Sequence, residues 1–268
     1  MTLSLFTLVF TCLTCFIDFS LTITDECQNV RVSEQEISDI FFKNYGVWQR
    51  PVLSPETAID VNLTFILSSI NDVVEKEKAV KLSGYLDVTW FSEFHVWKDK
   101  YPYYCIPYIV LPAQDVWLPD IVQQNNRQSR YALMTMPGEK VRVHSNGLTQ
   151  YSPGGHIEAA CQFDLSLFPF DVQECALKLE RFVPFFISKF FFVTNVKFQT
   201  SWRYSSKSVR FQLPKKNILL RDFLENMQWH LEGTYQELSR VQSEDATSAA
   251  FDHVDFYIII SRKVTHYV

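Results

Sequence analysis

Two cysteines, Cys161 and Cys175, have thirteen residues between them, and a disulfide joining them would close a short loop. The loop carries the run Phe168-Pro169-Phe170-Asp171. Because proline fixes its own φ and restricts the residue before it, this run predicts a stiff turn. Phenylalanine side chains at the tip of such a turn are costly unless they dock onto another surface.

Other reactive side chains do not form an enzyme motif. The chain has no H-E-x-x-H or G-x-S-x-G sequence, and its 7 glycines build no phosphate-cradling loop. The 6 histidines are scattered without metal-ligand spacing. We therefore expect no enzyme, no metal and no cofactor. The formal net charge of −5 gives no reason to expect a nucleic-acid partner.

The segment 1–22 is almost entirely apolar or small, which predicts a secretory signal peptide, although it lacks an early Lys or Arg. A membrane anchor is the alternative, but the run breaks at Asp18 and is short for a span. Cleavage would remove Cys12 and Cys15, so their C-x-x-C spacing is not interpreted as a redox or metal motif. Four cysteines then remain in the mature chain, and an even number in a secreted protein suggests two disulfides. Secretion would also make Asn62-Leu63-Thr64 a usable glycosylation sequon.

The elements that would position these groups are mostly strands. Ser33 to Glu36 reads as a capping box and predicts a short helix over about 33–45. Apolar residues alternate along 59–67, 80–90, 209–213 and 254–260, and within the cysteine loop at Phe163, Leu165 and Leu167, which predicts strands. Asn146-Gly147 and Gly154-Gly155 predict turns. This pattern favours an all-β fold, an antiparallel Ig-like β-sandwich of about ten strands with a short N-terminal α-helix.

The stretch 181–199 breaks that rhythm. It holds seven of the 23 phenylalanines, and Pro184, Lys189, Asn195 and Lys197 interrupt it as a membrane helix. Residues 177–180 would join Ser201-Trp202 well if the stretch were absent. We hypothesise a retained intron or gene-model error, and the alternative is a genuine hydrophobic insertion loop.

Several motifs together resemble the extracellular ligand-binding domain of the Cys-loop receptors, the pentameric neurotransmitter-gated ion channels, and lean toward their nicotinic branch. The first is Cys-x13-Cys with aromatic-Pro-x-Asp before the second cysteine; the others, in chain order, are Trp90 with Trp97, Trp117-Leu118-Pro119-Asp120, Ser201-Trp202-Arg203-Tyr204 and Phe251-Asp252-His253-Val254. The resemblance implies a ligand-binding domain over 23–263 and a disulfide between Cys161 and Cys175. Cys27 and Cys105 would then remain as the second pair, and the alternative is a free, buried Cys105.

The same resemblance implies a binding site for a small cationic, neurotransmitter-like ligand at a subunit interface of a homo- or hetero-pentamer. Tyr and Trp faces attract ammonium groups, by about 0.5–2 kcal/mol per ring. The matching positions are Trp202, Tyr204 and Phe251 on the principal side and Tyr85 on the complementary side. Gln124 stands where the first binding loop usually supplies a tyrosine. The stretch 235–250 has no cysteine, which argues against a principal acetylcholine face of the α type.

A second implied role is coupling of the ligand site to a pore. The positions concerned meet the channel domain in the family: Glu75, Lys76, Phe168, Pro169, Phe170, Asp171 at the loop tip, and Arg262. A solvated surface cluster of little energetic value is the alternative. The first pore helix would begin at about 264–268, so we expect a truncated receptor subunit on the extracellular face of the plasma membrane, postsynaptic if it belongs to a channel. The competing functions are a secreted, soluble pentameric binding protein and an Ig-like adhesion module.

Overall fold

The computed structural model describes residues 27, 30–123, 125–126, 138–180, 205–242 and 250–264, with the backbone alone for 122, 176–180, 241 and 242. These residues contain one α-helix and twelve strands, and the strands form two sheets. This confirms the expected all-β sandwich with a short N-terminal helix. The predicted signal peptide, 1–22, and the predicted insertion, 181–199, lie outside the described residues, as does the predicted start of a pore helix beyond Val264.

The helix, α1, spans Glu34–Phe41 and is shorter than the predicted 33–45. The Glu36 amide donates to Ser33 Oγ at 3.1 Å, which is one half of the predicted capping box. Tyr103 Oη donates to the Glu36 carboxylate at 3.5 Å, so this side chain holds a neighbouring loop. The helix ends early because the following aromatic, Phe42, stacks on the buried imidazole of His95 with ring centroids 3.9 Å apart.

The larger sheet has eight strands. Its centre is an antiparallel pair of long strands, β1 (Ile59–Val74) and β2 (Ala79–Phe91), whose alternating apolar residues face the core as predicted. β2 pairs antiparallel with both β6 and β7, and β6 leads on through β5 to β3. On the other side β1 pairs in parallel with two short strands, β9 and β10. The remaining bounds are β3 Tyr108–Pro112, β5 Lys140–His144, β6 Leu148–Tyr151, β7 Gly154–Ala160, β9 Val209–Gln212 and β10 Leu219–Leu224.

The smaller sheet has the strand order β11-β12-β8-β4 and is antiparallel throughout. Its bounds are β4 Val122–Gln123, β8 Val172–Glu180, β11 Trp229–Gln242 and β12 Ala250–Arg262. Alternate β12 residues from Val254 to Ile260 are buried. Phe256 of β12 meets Phe65 of β1 with ring centroids 5.4 Å apart, so the core lies between the two sheets.

Two local predictions were wrong. The alternating residues Phe163, Leu165 and Leu167 form no strand, because they lie beyond the end of β7 in a loop whose backbone pairs with no ladder. Gly154-Gly155 is no turn but the start of β7, where Gly154 pairs with Tyr85. A Cβ on Gly154 would lie 2.5 Å from that of Tyr85, so the glycine serves a close approach of two strands. The Asn146-Gly147 turn is confirmed between β5 and β6, with Gly147 at φ 90°.

Candidate functional site

Two disulfides fix the loops around the sandwich. One joins Cys161, just after β7, to Cys175 in β8. The other joins Cys27, ahead of α1, to Cys105 in the turn before β3, so Cys105 is not a free thiol. The Cys161 amide also donates to the Lys78 carbonyl at 2.8 Å, which ties the cysteine loop to the turn between β1 and β2.

Gln173 organises the inside of the cysteine loop. Its side-chain oxygen accepts from the Asp164 amide at 2.9 Å, and its Nε2 donates to the Asp164 carbonyl at 2.7 Å. The Ser166 amide in turn donates to the Asp164 carboxylate, which holds the pKa of that carboxyl below its usual value. With the loop fixed in this way, Leu167 remains 69 % exposed and Phe170 72 % exposed at the tip, with the Phe168-Pro169 bond between them in the cis form.

A buried charge cluster lies at the base of the same loop. Arg262, the last residue of β12, donates from Nε to Asp171 Oδ1 at 2.7 Å and from Nη2 to Asp171 Oδ2 at 2.9 Å. A further bond runs from Arg262 Nη2 to Glu75 Oε1 at 2.5 Å. The side chains of Arg262 and Asp171 are only 2 % and 1 % exposed. Hydrogen bonding from the Arg262 guanidinium lowers the pKa of Asp171, so the carboxylate is charged at neutral pH.

Aromatic rings complete this cluster, which we term the Arg262 cluster (Glu75, Phe168, Asp171, Trp229 and Arg262). The guanidinium carbon lies 4.4 Å from the ring centroid of Trp229 and 4.9 Å from that of Phe168. Planar contact with rings suits a guanidinium better than an ammonium. The ion pair at the centre of the cluster, Arg262 with Asp171, is thus buried and is not a solvated surface pair.

Two of the expected coupling residues differ from the prediction, Asp171 in its position and Lys76 in its contacts. Asp171 was expected at the loop tip, but it is buried at the base because Arg262 and Gln173 both bind its carboxylate. Lys76 is exposed in the turn between β1 and β2, and among the described residues it forms no ion pair.

An asparagine links the Arg262 cluster to neighbouring loops. Asn226, between β10 and β11, donates from Nδ2 to the Ile70 carbonyl at 2.9 Å and accepts from the Trp229 amide at 3.0 Å. Its own carbonyl accepts from Lys263 Nζ at 3.0 Å. The later part of β1, the start of β11 and the residue after β12 are therefore tied together through one residue, by its side chain and its backbone carbonyl.

Of the five expected ligand-binding positions, the structure describes two. Trp202, Tyr204 and Gln124 lie outside the described residues. Tyr85 lies on the half-exposed face of β2 in the larger sheet, and Phe251 lies in β12 of the smaller sheet, opposite Val241. The structure therefore places the two described aromatics in different sheets of one subunit.

Polar neighbours fix each of these two positions. Arg221 of β10 donates from Nη1 to the Tyr85 hydroxyl at 3.4 Å. Next to Phe251, the buried carboxylate of Asp252 accepts from Arg240 Nε at 2.6 Å and from the Phe211 amide at 3.0 Å. Sequence reasoning missed these contacts, as it missed Trp229 in the Arg262 cluster. These contacts depend on the register between strands that are distant in the chain, and no local sequence pattern reports that register.

Asn62, the expected glycosylation site, is half-buried in β1 between two strands, opposite Thr89 of β2 and Gln212 of β9. Its Nδ2 donates to Thr89 Oγ1 at 3.5 Å. A glycan there would project from the face of the sheet and not from a loop.

The described residues contain no group of three His, Cys, Asp or Glu side chains placed to hold a metal ion. None of their helices has both the length and the apolarity needed to cross a bilayer.

Comparison with known proteins defines the class. The family model of the neurotransmitter-gated ion-channel ligand binding domain matches residues 34–264, so this chain belongs to that family, which is a receptor family and not an enzyme family. Similar proteins include the neuronal acetylcholine receptor subunit beta-3 of Rattus norvegicus, 29 % identical over 79 % of this chain and 41 % of the relative. The acetylcholine receptor subunit alpha-type acr-16 of Caenorhabditis elegans is 26 % identical over 88 % of this chain and 43 % of the relative. The chain thus spans less than half the length of these relatives.

Proposed function

We propose that this chain is the extracellular ligand-binding domain of a nicotinic-like subunit of a pentameric neurotransmitter-gated channel, and that it passes ligand binding on to a membrane pore. The observation that carries the proposal is the Arg262 cluster beneath an exposed apolar loop tip. Leu167 and Phe170 are mostly exposed, while the ion pair of Arg262 and Asp171 just behind them is buried. An apolar tip of this kind is stable only against another apolar surface, and a pore domain supplies one.

Arg262 has one contact that we expect to persist, with Asp171, and one that it can exchange, with Glu75. Asp171 holds Arg262 through two hydrogen bonds in a fully buried site, whereas Glu75 is 32 % exposed and holds it through one. Exchange of the Glu75 contact would cost less than loss of Asp171, because a half-exposed carboxylate can be resolvated. Exchange of the Glu75 contact would therefore loosen the turn between β1 and β2 from β12, while the turn stays tied to the cysteine loop through the Cys161 amide and the Lys78 carbonyl.

The ligand is proposed to be a small cation held in an aromatic box between adjacent subunits. Trp202, Tyr204 and Phe251 would belong to the principal side and Tyr85 to the complementary side, with Gln124 in place of an aromatic in the first loop. Two observations support this division: Tyr85 and Phe251 lie in different sheets, and their polar surroundings are separate, with Arg221 bound to Tyr85 and Arg240 bound to Asp252 next to Phe251. In this proposal residues 1–22 act as a signal peptide, the subunit assembles at the extracellular face of the plasma membrane, and Asn62 carries a glycan.

Substitution of Trp202 tests the ligand site. Full chain secreted from eukaryotic cells would be titrated with acetylcholine and followed by calorimetry. Trp202→Ala should weaken binding about tenfold or more, because a desolvated cation–π contact contributes up to about 2 kcal/mol. Trp48→Ala, at an exposed position just after α1, is the matched control and should leave affinity unchanged. Equal affinity of the Trp202 variant and the wild type would refute the aromatic-box assignment.

Transcript sequencing tests the proposed organisation. Four downstream hydrophobic spans in the same reading frame would support the channel subunit, and a stop codon near Val268 would support a secreted pentameric binding protein instead. The same data test 181–199: mature messenger RNA encoding that stretch would exclude a retained intron.

A further inference from the structure

The described residues contain one feature of the proposed complementary face that a cation-only ligand does not explain. The hydroxyl of Tyr85 is held by the guanidinium of Arg221, Nη1 to Oη at 3.4 Å. A positive charge therefore stands at the ring that was expected to attract a positive ligand. The inference below rests on the proposed function, since it assumes that a small ligand docks against Tyr85.

The backbone of β10 is shaped to bring Arg221 to this place. Along β1 the pairing advances from Leu67 to Ser69, while along β10 it advances from Leu220 to Leu224, so β10 bulges away from its partner. Within the bulge Asp222 has φ 49°, a left-handed conformation that costs energy in most residues other than glycine and that Asp tolerates better than most. Bulges of this kind re-aim a side chain next to functional sites.

Among the described residues, no carboxylate neutralises the charge of Arg221. Over the described part of the chain Arg221 forms no ion pair, whereas Arg210, in the adjacent strand β9, pairs with Asp60 at 2.9 Å. The acid nearest along β2, Asp87, accepts through Oδ1 from Gln150 Nε2 at 2.8 Å and from Ser152 Oγ at 2.7 Å. An exposed guanidinium without a carboxylate partner is a ready donor for two parallel hydrogen bonds to an incoming carboxylate.

We propose that Arg221 is a specificity-determining residue of the complementary face and that it selects ligands that carry a carboxylate as well as an ammonium group. The principal aromatics would hold the ammonium group, and the guanidinium at Tyr85 would bind the carboxylate. Compact cations without an acceptor group gain nothing from Arg221 and are repelled by it.

Two probes that share a quaternary ammonium group test this selection: tetramethylammonium, which has no acceptor, and trimethylglycine, which adds one carboxylate. Both would be titrated by calorimetry into the full secreted chain in its assembled form. The wild type should bind trimethylglycine more tightly than tetramethylammonium. Arg221→Gln should weaken trimethylglycine binding about fivefold or more while leaving tetramethylammonium binding unchanged or slightly tighter.

Two further variants separate the possible outcomes. Arg210→Gln removes an exposed arginine from the same sheet and should change neither affinity. Arg221→Lys should retain part of the trimethylglycine preference, because it keeps the charge but loses the two-pronged geometry. Unchanged trimethylglycine affinity in Arg221→Gln, with Trp202→Ala still weakening binding about tenfold or more, would overturn the role of Arg221 and leave the proposed function standing. No binding of either probe by the wild type would overturn both.

Discussion

Replacing Arg262 with glutamine should destabilise the domain strongly, because the change leaves the Asp171 carboxylate buried without its cation. The lost contacts include two hydrogen bonds to Asp171, at 2.7 and 2.9 Å, and one to Glu75 at 2.5 Å. With the Arg262 and Asp171 side chains only 2 % and 1 % exposed, solvent cannot take over their charges. Breaking a buried pair by removing one partner typically costs about 3–5 kcal/mol, and we expect a loss in the free energy of unfolding within that range.

A double-mutant cycle separates the pair energy from general damage to the fold. Arg262→Met, Asp171→Leu and the combined variant would be compared by denaturant unfolding of the full secreted chain. Because the combined variant leaves no buried unpaired charge, only the partly exposed Glu75, its loss should be smaller than the sum of the two single losses by about 2 kcal/mol or more. Additive losses would refute the view that Arg262 and Asp171 stabilise the fold as a pair.

The matched control is an exposed ion pair of the same composition. Arg210 and Asp60 lie 2.9 Å apart with side chains 43 % and 50 % exposed. Exposed pairs contribute about 0–1 kcal/mol, so Arg210→Gln should change the free energy of unfolding far less than Arg262→Gln. Equal effects at the two sites would show that burial does not set the strength of the Arg262 cluster.

Two further predictions concern the N-terminal helix and its surroundings. Burial lowers the pKa of His95 from 6.5 to about 4, so the unfolded chain takes up a proton at this residue before the folded chain does as the pH falls. The free energy of unfolding should therefore decrease by up to about 3 kcal/mol between pH 6.5 and pH 4. Above about pH 7 this group should have no effect on it. His95→Gln should flatten that part of the pH–stability curve in chemical denaturation, and an unchanged curve would show that another group is responsible. Removing the disulfide that closes 78 residues, with Cys27→Ser and Cys105→Ser together, should lower the free energy of unfolding by about 4 kcal/mol through added entropy of the unfolded chain. A change in melting temperature too small to measure would contradict that estimate.

The parts of the fold that the sequence predicted are those where one face of an element is buried. The alternation of β1, β2 and β12 is strong because each of these strands packs one face on the core. The alternation of Phe163, Leu165 and Leu167 gave a wrong strand because a periodic pattern does not reveal whether a partner strand exists. The helix was predicted too long because its end depends on Phe42 reaching His95, a contact between segments far apart in the chain.

The site was predictable only as far as its residue types. The Cys-x13-Cys motif and the order of the other motifs indicated the family, which the family match confirms. The contact between Arg262 and Asp171 joins residues 91 positions apart, and the family resemblance alone suggested that they meet. Arg221 could not be recognised as a neighbour of Tyr85 from the sequence, since the bulge in β10 and the parallel pairing of β10 with β1 decide its position. The roles of Trp202, Tyr204 and Gln124 stay predictions.

The parallel strands β9 and β10 also bear on how the domain avoids self-association. Without them β1 would be an edge of sixteen residues with unpaired amide and carbonyl groups, a template on which a second chain could add its own strand. β9 covers its beginning from Ile59 to Asn62, and β10 covers its middle from Ile66 to Ser69. β9 and β10 are themselves a poor template for a strand of a second chain, because both are short and the link between them is irregular. Copies of the domain can therefore assemble through side chains without fusing their sheets, and substitutions that detach β9 or β10 should produce fibrous aggregates before they produce soluble unfolded chain.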